Sequence, residues 1–254
     1  MIKRRMVKGR VERLDFAERW LHDGLRLIEF PGGLLSVEVD MSKAVAFRQR
    51  MKESGSPVTY THLIVLAAAR VLAEHPELHR LVAGTKRLTP DCVDICLSVA
   101  GDGVVTPVVL VRDAANKDLP EIAREVREGA VRAKAEDEKM RAILRRWGWL
   151  VPAGVLRRAL LRFLRSRLSY CRRVSGTFQI SLIPSVDLFT PFLFNTAAVL
   201  AAGRVRDRVV AVDGKAVVRP TMALTCCNSH KIWNGMNTAM FLNCVKEKLE
   251  EAAV

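Results

Sequence analysis

The sequence has 254 residues, half of them apolar and about a quarter charged, which suits a chain with a large core and excludes a disordered one. No apolar run reaches the length of a membrane-spanning helix, and the basic start lacks the apolar core and small-residue cleavage site of a secretory signal. The net charge of +14 is local: residues 1–13 hold six basic side chains against Glu12, and residues 139–173 hold eleven with no acid. Together these give +16 and leave the other 206 residues at −2, so a nucleic-acid reader with a basic face spread over its body is not expected.

In chain order, Leu14, Ala17, Leu21 and Leu25 fall at helical spacing, and Pro31-Gly32-Gly33 breaks the chain. Leu35, Val37 and Val39 then alternate with polar residues as a strand, and Ser42 is placed to cap a helix carrying Val45, Ala46, Phe47 and Met51. Gly55-Ser56-Pro57 makes a turn. Residues 61–74 are apolar nearly all round and predict a buried helix. Cys92–Ala100 and Val104–Val111 read as strands about a Gly101-Asp102-Gly103 turn, with Pro107 marking a bulge or edge. Asp118-Leu119-Pro120-Glu121 combines a cap, an early proline and a first-turn carboxylate, the signature of a helix start.

Gly176–Ile183 and Ala197–Val205 read as further strands. Val209–Val212 and Lys215–Val218 flank Asp213-Gly214, which suits the mirror-image turn that matches strand twist. Thr221–Cys227 reads as another strand, and a helix over residues 237–251 closes the chain. Strands alternating with helices and no internal repeat predict one α/β domain. The six cysteines, Cys92, Cys96, Cys171, Cys226, Cys227 and Cys244, have no zinc-ribbon spacing, so no metal site is expected and reduced thiols in a cytoplasmic protein are.

Residues 139–173 stand apart. On a helical wheel Arg157, Arg158, Arg162 and Arg165 share one side, while Leu156, Leu160, Phe163 and Leu164 share the other, with Trp147 and Trp149 just before. Such a composition suits a membrane-surface segment, and equally a surface helix packed on its own domain with its arginines in solvent.

Of the five histidines, His62, His75 and His79 fall in or near the buried helix and His22 on the N-terminal one. His230 follows a strand and precedes the last helix, within Asn228–Gly235 (Asn-Ser-His-Lys-Ile-Trp-Asn-Gly), where an imidazole can meet a ligand and act as a general base near neutral pH. Ser229-His230-Lys231-Ile232-Trp233-Asn234-Gly235 resembles the Asp-His-Arg-x-x-Asp-Gly motif of the dihydrolipoyl acyltransferases of 2-oxoacid dehydrogenase complexes, relatives of chloramphenicol acetyltransferase. Met240-Phe241-Leu242 is similar to that family's Arg-Phe-Leu, and Gly176–Ser181 (Gly-Thr-Phe-Gln-Ile-Ser) to its Gly-Thr-Phe-Thr-Ile-Ser. Phe189-Thr190-Pro191, Gly203-Arg204-Val205, the Asp213-Gly214 hairpin, His75-Pro76-Glu77-Leu78 and Val37–Asp40 also have counterparts, so the resemblance covers about residues 34–252.

The resemblance implies a chloramphenicol acetyltransferase-like fold, a single-domain two-layer α/β sandwich with a mixed sheet. It implies a basic N-terminal helical extension over residues 1–33, a catalytic domain over 34–254, and a basic amphipathic insertion at about 139–173. It further implies that His230 takes the proton of a thiol or hydroxyl acceptor, which attacks an acyl thioester, and that Ser181 stabilises the tetrahedral oxyanion, without an acyl-enzyme. Asn234 stands where the family has an aspartate, and its amide can order the loop by hydrogen bonds but not by an ion pair. Ser229 and Lys231 replace the flanking Asp and Arg, and Leu182-Ile183-Pro184 departs from the family's Asn-Leu-Gly toward the acetyltransferase pattern, so a different acceptor pocket is expected.

Coenzyme A is the cofactor implied, and no covalent lipoate is expected on this chain, which shows neither a lipoyl Asp-Lys turn nor the family's apolar C-terminal tail. The leading expectation is a free-standing homotrimer with its active site between subunits, moving acyl groups from acyl-coenzyme A or an acyl carrier protein. The alternatives are the core of a 2-oxoacid dehydrogenase complex whose lipoyl protein is a separate chain, and a non-catalytic trimeric scaffold. The expected location is cytoplasmic, with an anionic membrane surface as a further partner through residues 139–173.

Overall fold

In the computed structural model, residues 15–25, 32–83, 86–100, 106–151, 153–191 and 196–252 are described; the basic segment 1–13, Pro31 and the Gly101–Gly103 turn lie outside them. Period-two burial builds the sheet. Along Gly32–Asp40 (β1) the side chains of Leu35, Val37 and Val39 pack on the core, while Leu34, Ser36 and Glu38 are exposed. The next strands are a small hairpin, Leu81–Ala83 (β2) with Lys86–Leu88 (β3), then Ile95–Ser98 (β4), Val108–Val111 (β5), Phe178–Leu182 (β6), Ala198–Ala202 (β7), Arg206–Val212 (β8) and Lys215–Ser229 (β9). The main sheet runs β1-β9-β7-β6-β4-β5 with β8 on β9; β4, β6 and β7 are mutually parallel and the remaining pairs antiparallel.

Strand β9 carries two of the sequence readings as one element. Asp213 and Gly214 turn at φ of 49° and 75°, as the mirror-image hairpin requires, and the strand then continues through Pro220 to Ser229. A proline is tolerated there because it faces Asp207 at a position that exchanges no ladder bonds with β8, while its other edge lies just past the end of β1. Its carbonyl is satisfied by Met41 N–H at 2.8 Å. Strand β1 likewise begins at Gly32, paired to Ser229, so the glycines start the strand instead of separating it from the helix before.

The helices are Phe16–Leu25 (α1), Ser42–Glu53 (α2), Tyr60–Glu74 (α3), Leu119–Trp147 (α4), Gly154–Arg165 (α5), Leu168–Ser175 (α6) and Gly235–Glu251 (α7), with a short 3-10 turn at Gly148–Leu150. Helix α3 is buried from His62 to Ala69 and packs with α7, whose Phe241, Leu242, Val245 and Leu249 face the sheet. Phe178, Trp233 and Phe241 form an aromatic cluster with centroids 5.1–6.1 Å apart. The α4 start is a capping box between Asp118 and Glu121, as its sequence requires. Ser42 is the first residue of α2 and not its cap: Met41 holds that place, and Asp40 Oδ1 accepts both Ser42 N–H and Ser42 Oγ–H. All six cysteines are free, and no cluster of metal-ligand side chains occurs among the described residues.

Beyond its buried first half α4 runs out to Trp147, where α1, the 3-10 turn and α5 pack together as a helical addition. Its centre is Asp23 of α1. Arg157 Nε donates to one carboxylate oxygen at 2.6 Å and Arg158 Nη1 to the other at 2.7 Å. Burial pushes this carboxyl's pKa up, but the two guanidinium bonds outweigh it and hold it below the usual range. Arg157 and Arg158 of α5 therefore pack on their own protein, whereas Arg162 is exposed along with Leu156, Leu160 and Phe163. For these two arginines this reverses the expectation of solvated guanidinium groups over a packed apolar side, because a carboxylate on a distant helix draws them inward.

Candidate active site

Strand β9 ends at Ser229, and the chain turns tightly over residues 230–233: the N–H groups of Ile232 and Trp233 both donate to Ser229 O at 2.9 Å. His230 stands exposed on this turn. Its Nδ1 lies 3.2 Å from Trp233 O. A carbonyl only accepts, so Nδ1 carries the proton and Nε2 presents its lone pair, the tautomer a general base needs. Trp233 O also accepts from Asn228 Nδ2 at 3.1 Å, and Trp233 is anchored in the aromatic cluster with its indole N–H donating to Leu78 O at 2.8 Å. The histidine is thus aimed by a backbone carbonyl whose own residue is locked in the core. Sequence reasoning named Trp233 and Asn228 only as motif neighbours, since a carbonyl's direction depends on the turn geometry.

Nε2 faces the start of β1. A Cβ on Gly33 would come 3.8 Å from His230 Nε2 and 3.0 Å from Asn228 Oδ1, so glycine keeps this approach open. Asn228 Oδ1 is buried without a hydrogen-bond partner among the described residues. Asn234 is the N-cap of α7. Its Oδ1 accepts Asn237 N–H at 2.9 Å, and Asn237 Oδ1 in turn accepts Asn234 N–H at 3.1 Å.

Ser181 lies on β6. Phe178 and Ile180 face the helices, so Ser181 points to the opposite sheet face, and no described residue hydrogen-bonds its Oγ. It pairs with Ala201, which pairs with Thr225, five residues before His230. Five residues along and two strands across separate Ser181 from His230 by on the order of 15–20 Å. One chain therefore does not bring the two predicted residues onto one substrate carbonyl. Beside Leu182 a cavity of about 610 Å³ opens, lined in part by Arg48, Lys52, Tyr60, Pro184 and Arg204, with Arg48 stacked 4.6 Å over Tyr60. Three other histidines, His62, His75 and His79, hold structure. His62 Nδ1 accepts Thr59 N–H at 3.2 Å to cap α3, His75 pairs with Glu77, and burial pushes His62 and His79 down to about 4.

The fold and this histidine turn define a class. Chloramphenicol acetyltransferase superposes at a TM-score of 0.51 with 17% identity, over 93% of this chain and 96% of its own. The model of the 2-oxoacid dehydrogenases acyltransferase catalytic domain matches residues 27–142 and 165–254, and the chain belongs to that family. The match leaves out residues 143–164, which hold the 3-10 turn and nearly all of α5.

Among curated relatives, the dihydrolipoyllysine-residue succinyltransferase component of the 2-oxoglutarate dehydrogenase complex of Staphylococcus epidermidis is 28% identical over 224 residues, covering 84% of this chain and 46% of its own. The chain spans about half the length of the curated relatives it matches. The cubic core of the pyruvate dehydrogenase multienzyme complex superposes at a TM-score of 0.71 with 21% identity, over 96% of this chain and 93% of that one. The dihydrolipoamide acetyltransferase of Azotobacter vinelandii, solved to probe a serine, a histidine and an asparagine in its mechanism, gives the same TM-score with 20% identity and the same coverage.

Proposed function

We propose that the chain is the acyltransferase catalytic core of a 2-oxoacid dehydrogenase complex, moving an acyl group between a dihydrolipoyl thiol and coenzyme A at a site shared between copies of the chain. The observation that carries this is the histidine turn: in a chain of this family, Trp233 O fixes the His230 tautomer and leaves Nε2 open. The names of its relatives, components of such complexes, favour this reading over the free-standing enzyme. The lipoyl group then rides on a separate domain or chain.

In the proposed reaction Nε2 takes the proton of the attacking thiol. The sulfur forms a new bond to the thioester carbonyl carbon, and the resulting oxyanion accepts a hydrogen bond from Ser181 Oγ. Collapse breaks the original carbon–sulfur bond, and the departing thiolate takes the proton back from the imidazolium. The acyl group has changed sulfur atoms with no net change in protonation. The separation of Ser181 from His230 within one chain supports a site in which one copy supplies the base and its neighbour the hydroxyl, as a homotrimer would arrange. Arg48, Lys52 and Arg204 beside Ser181's strand suit the phosphates of coenzyme A.

Intersubunit complementation tests this. His230→Ala should lower acyl transfer between coenzyme A and dihydrolipoamide at least about a hundredfold, and Ser181→Ala by a similar factor. Co-expressed in one cell, the two inactive chains should regain part of the activity, because some sites then hold both intact residues. Folded variants that show no recovery when co-assembled would refute the shared site. A wild type inert toward both thiols would refute the reaction.

A further inference from the structure

The helical addition, which the acyl-transfer chemistry does not use, has its polarity inside out. Arg157 is buried against Asp23 and Val151 O, whereas Leu156, Leu160 and Phe163 of the same helix are 58%, 39% and 54% exposed. The turn before it adds Trp149 and Leu150 at 53% and 59%. Helices in water normally place these groups the other way round, so a face of this kind is built to meet something apolar.

Charge indicates the occupant. Segment 139–173 has no acidic residue. Arg146 lies 5.4 Å over Trp147 and Arg167 lies 4.5 Å over Phe163; these two and Arg162 have no carboxylate partner among the described residues. Apolar side chains and tryptophans bordered by unneutralised arginines match the boundary between acyl chains and anionic headgroups, where the apolar groups insert and the guanidinium groups meet phosphates. A second copy docking face to face would set these arginines against one another. Residues 143–164 also lie outside the family match, so the face is not part of the matched catalytic-domain sequence.

We propose that α5 and the turn before it form a docking surface for an anionic lipid bilayer, holding the acyltransferase at a membrane. The test is co-sedimentation of the full chain at low ionic strength with vesicles of phosphatidylcholine alone or mixed with phosphatidylglycerol. Binding is expected only to the mixed vesicles. Leu156→Ser/Leu160→Ser/Phe163→Ser should weaken it about tenfold or more, and Arg162→Glu/Arg167→Glu likewise, with circular dichroism unchanged. In the wild type, brominated acyl chains should quench tryptophan fluorescence, and Trp147→Phe/Trp149→Phe should abolish that quenching. Failure to bind mixed vesicles would overturn the proposal, and so would binding without quenching that the serine variant keeps, since charge alone would then explain it. Self-association without vesicles that the serine variant loses would overturn it in favour of a second copy.

Discussion

His62 and His79 titrate against the fold. Burial holds both near 4 in the folded chain against an ordinary 6.5, so between those values the unfolded chain binds more protons. Their contribution to stability is complete above about pH 6.5 and is lost as pH falls toward 4, by up to about 2 kcal/mol each at pH 5. Urea midpoints at pH 7 and pH 5 should differ accordingly, and His79→Gln should flatten the difference. Asn234 separates capping from catalysis. Asn234→Ala should cost about 1 kcal/mol of stability, whereas Asn234→Asp, which keeps the acceptor, should cost little. Thermal unfolding of both variants checks this. The motif singles out His230 and Asn234 in the sequence, but the cap that occupies Asn234 and the carbonyl that aims His230 depend on backbone direction in a turn, which residue spacing does not encode.

At the level of the element, α5 shows where pattern reading stops. Its wheel has two faces, and the sequence identifies both; which one turns inward depends on Asp23, more than a hundred positions away. Asp23→Ala would leave the buried Arg157 guanidinium without its Asp23 carboxylate, and removing one partner of a buried pair costs about 3 kcal/mol or more. The expected effect is local: faster amide hydrogen exchange in α1 and α5 with the sheet unchanged, read by mass spectrometry. Pro220 shows the converse limit. A proline ordinarily ends a strand reading, yet here it falls where neither neighbour requires its N–H, so two short strands are one long one.

For the whole molecule, the alternation of strands and helices was readable because strands such as β1 and β6 keep one apolar face toward the helices. The relation of Ser181 to His230 was not, because it follows from two pairings across β6, β7 and β9 that only the folded register defines. The proposed division of the site between copies would make activity depend on assembly. Specific activity should fall on dilution in step with loss of the assembled species, measured by paired activity and mass-photometry titrations. An enzyme complete in one chain would keep its specific activity.

The Asp23 lock has a consequence for the history of the gene. Its carboxylate precedes the family match and its guanidinium groups lie in the stretch that match leaves out, so the lock is written into two separate stretches of coding sequence. A lineage that acquired the insertion without the leading helix would lose the Asp23 carboxylate from the buried Arg157, and one with the helix alone would lose both guanidinium partners of Asp23. Natural homologues should therefore possess both stretches or neither, and a protein trimmed to the family's boundary at residue 27 would lose half of a feature that only works whole.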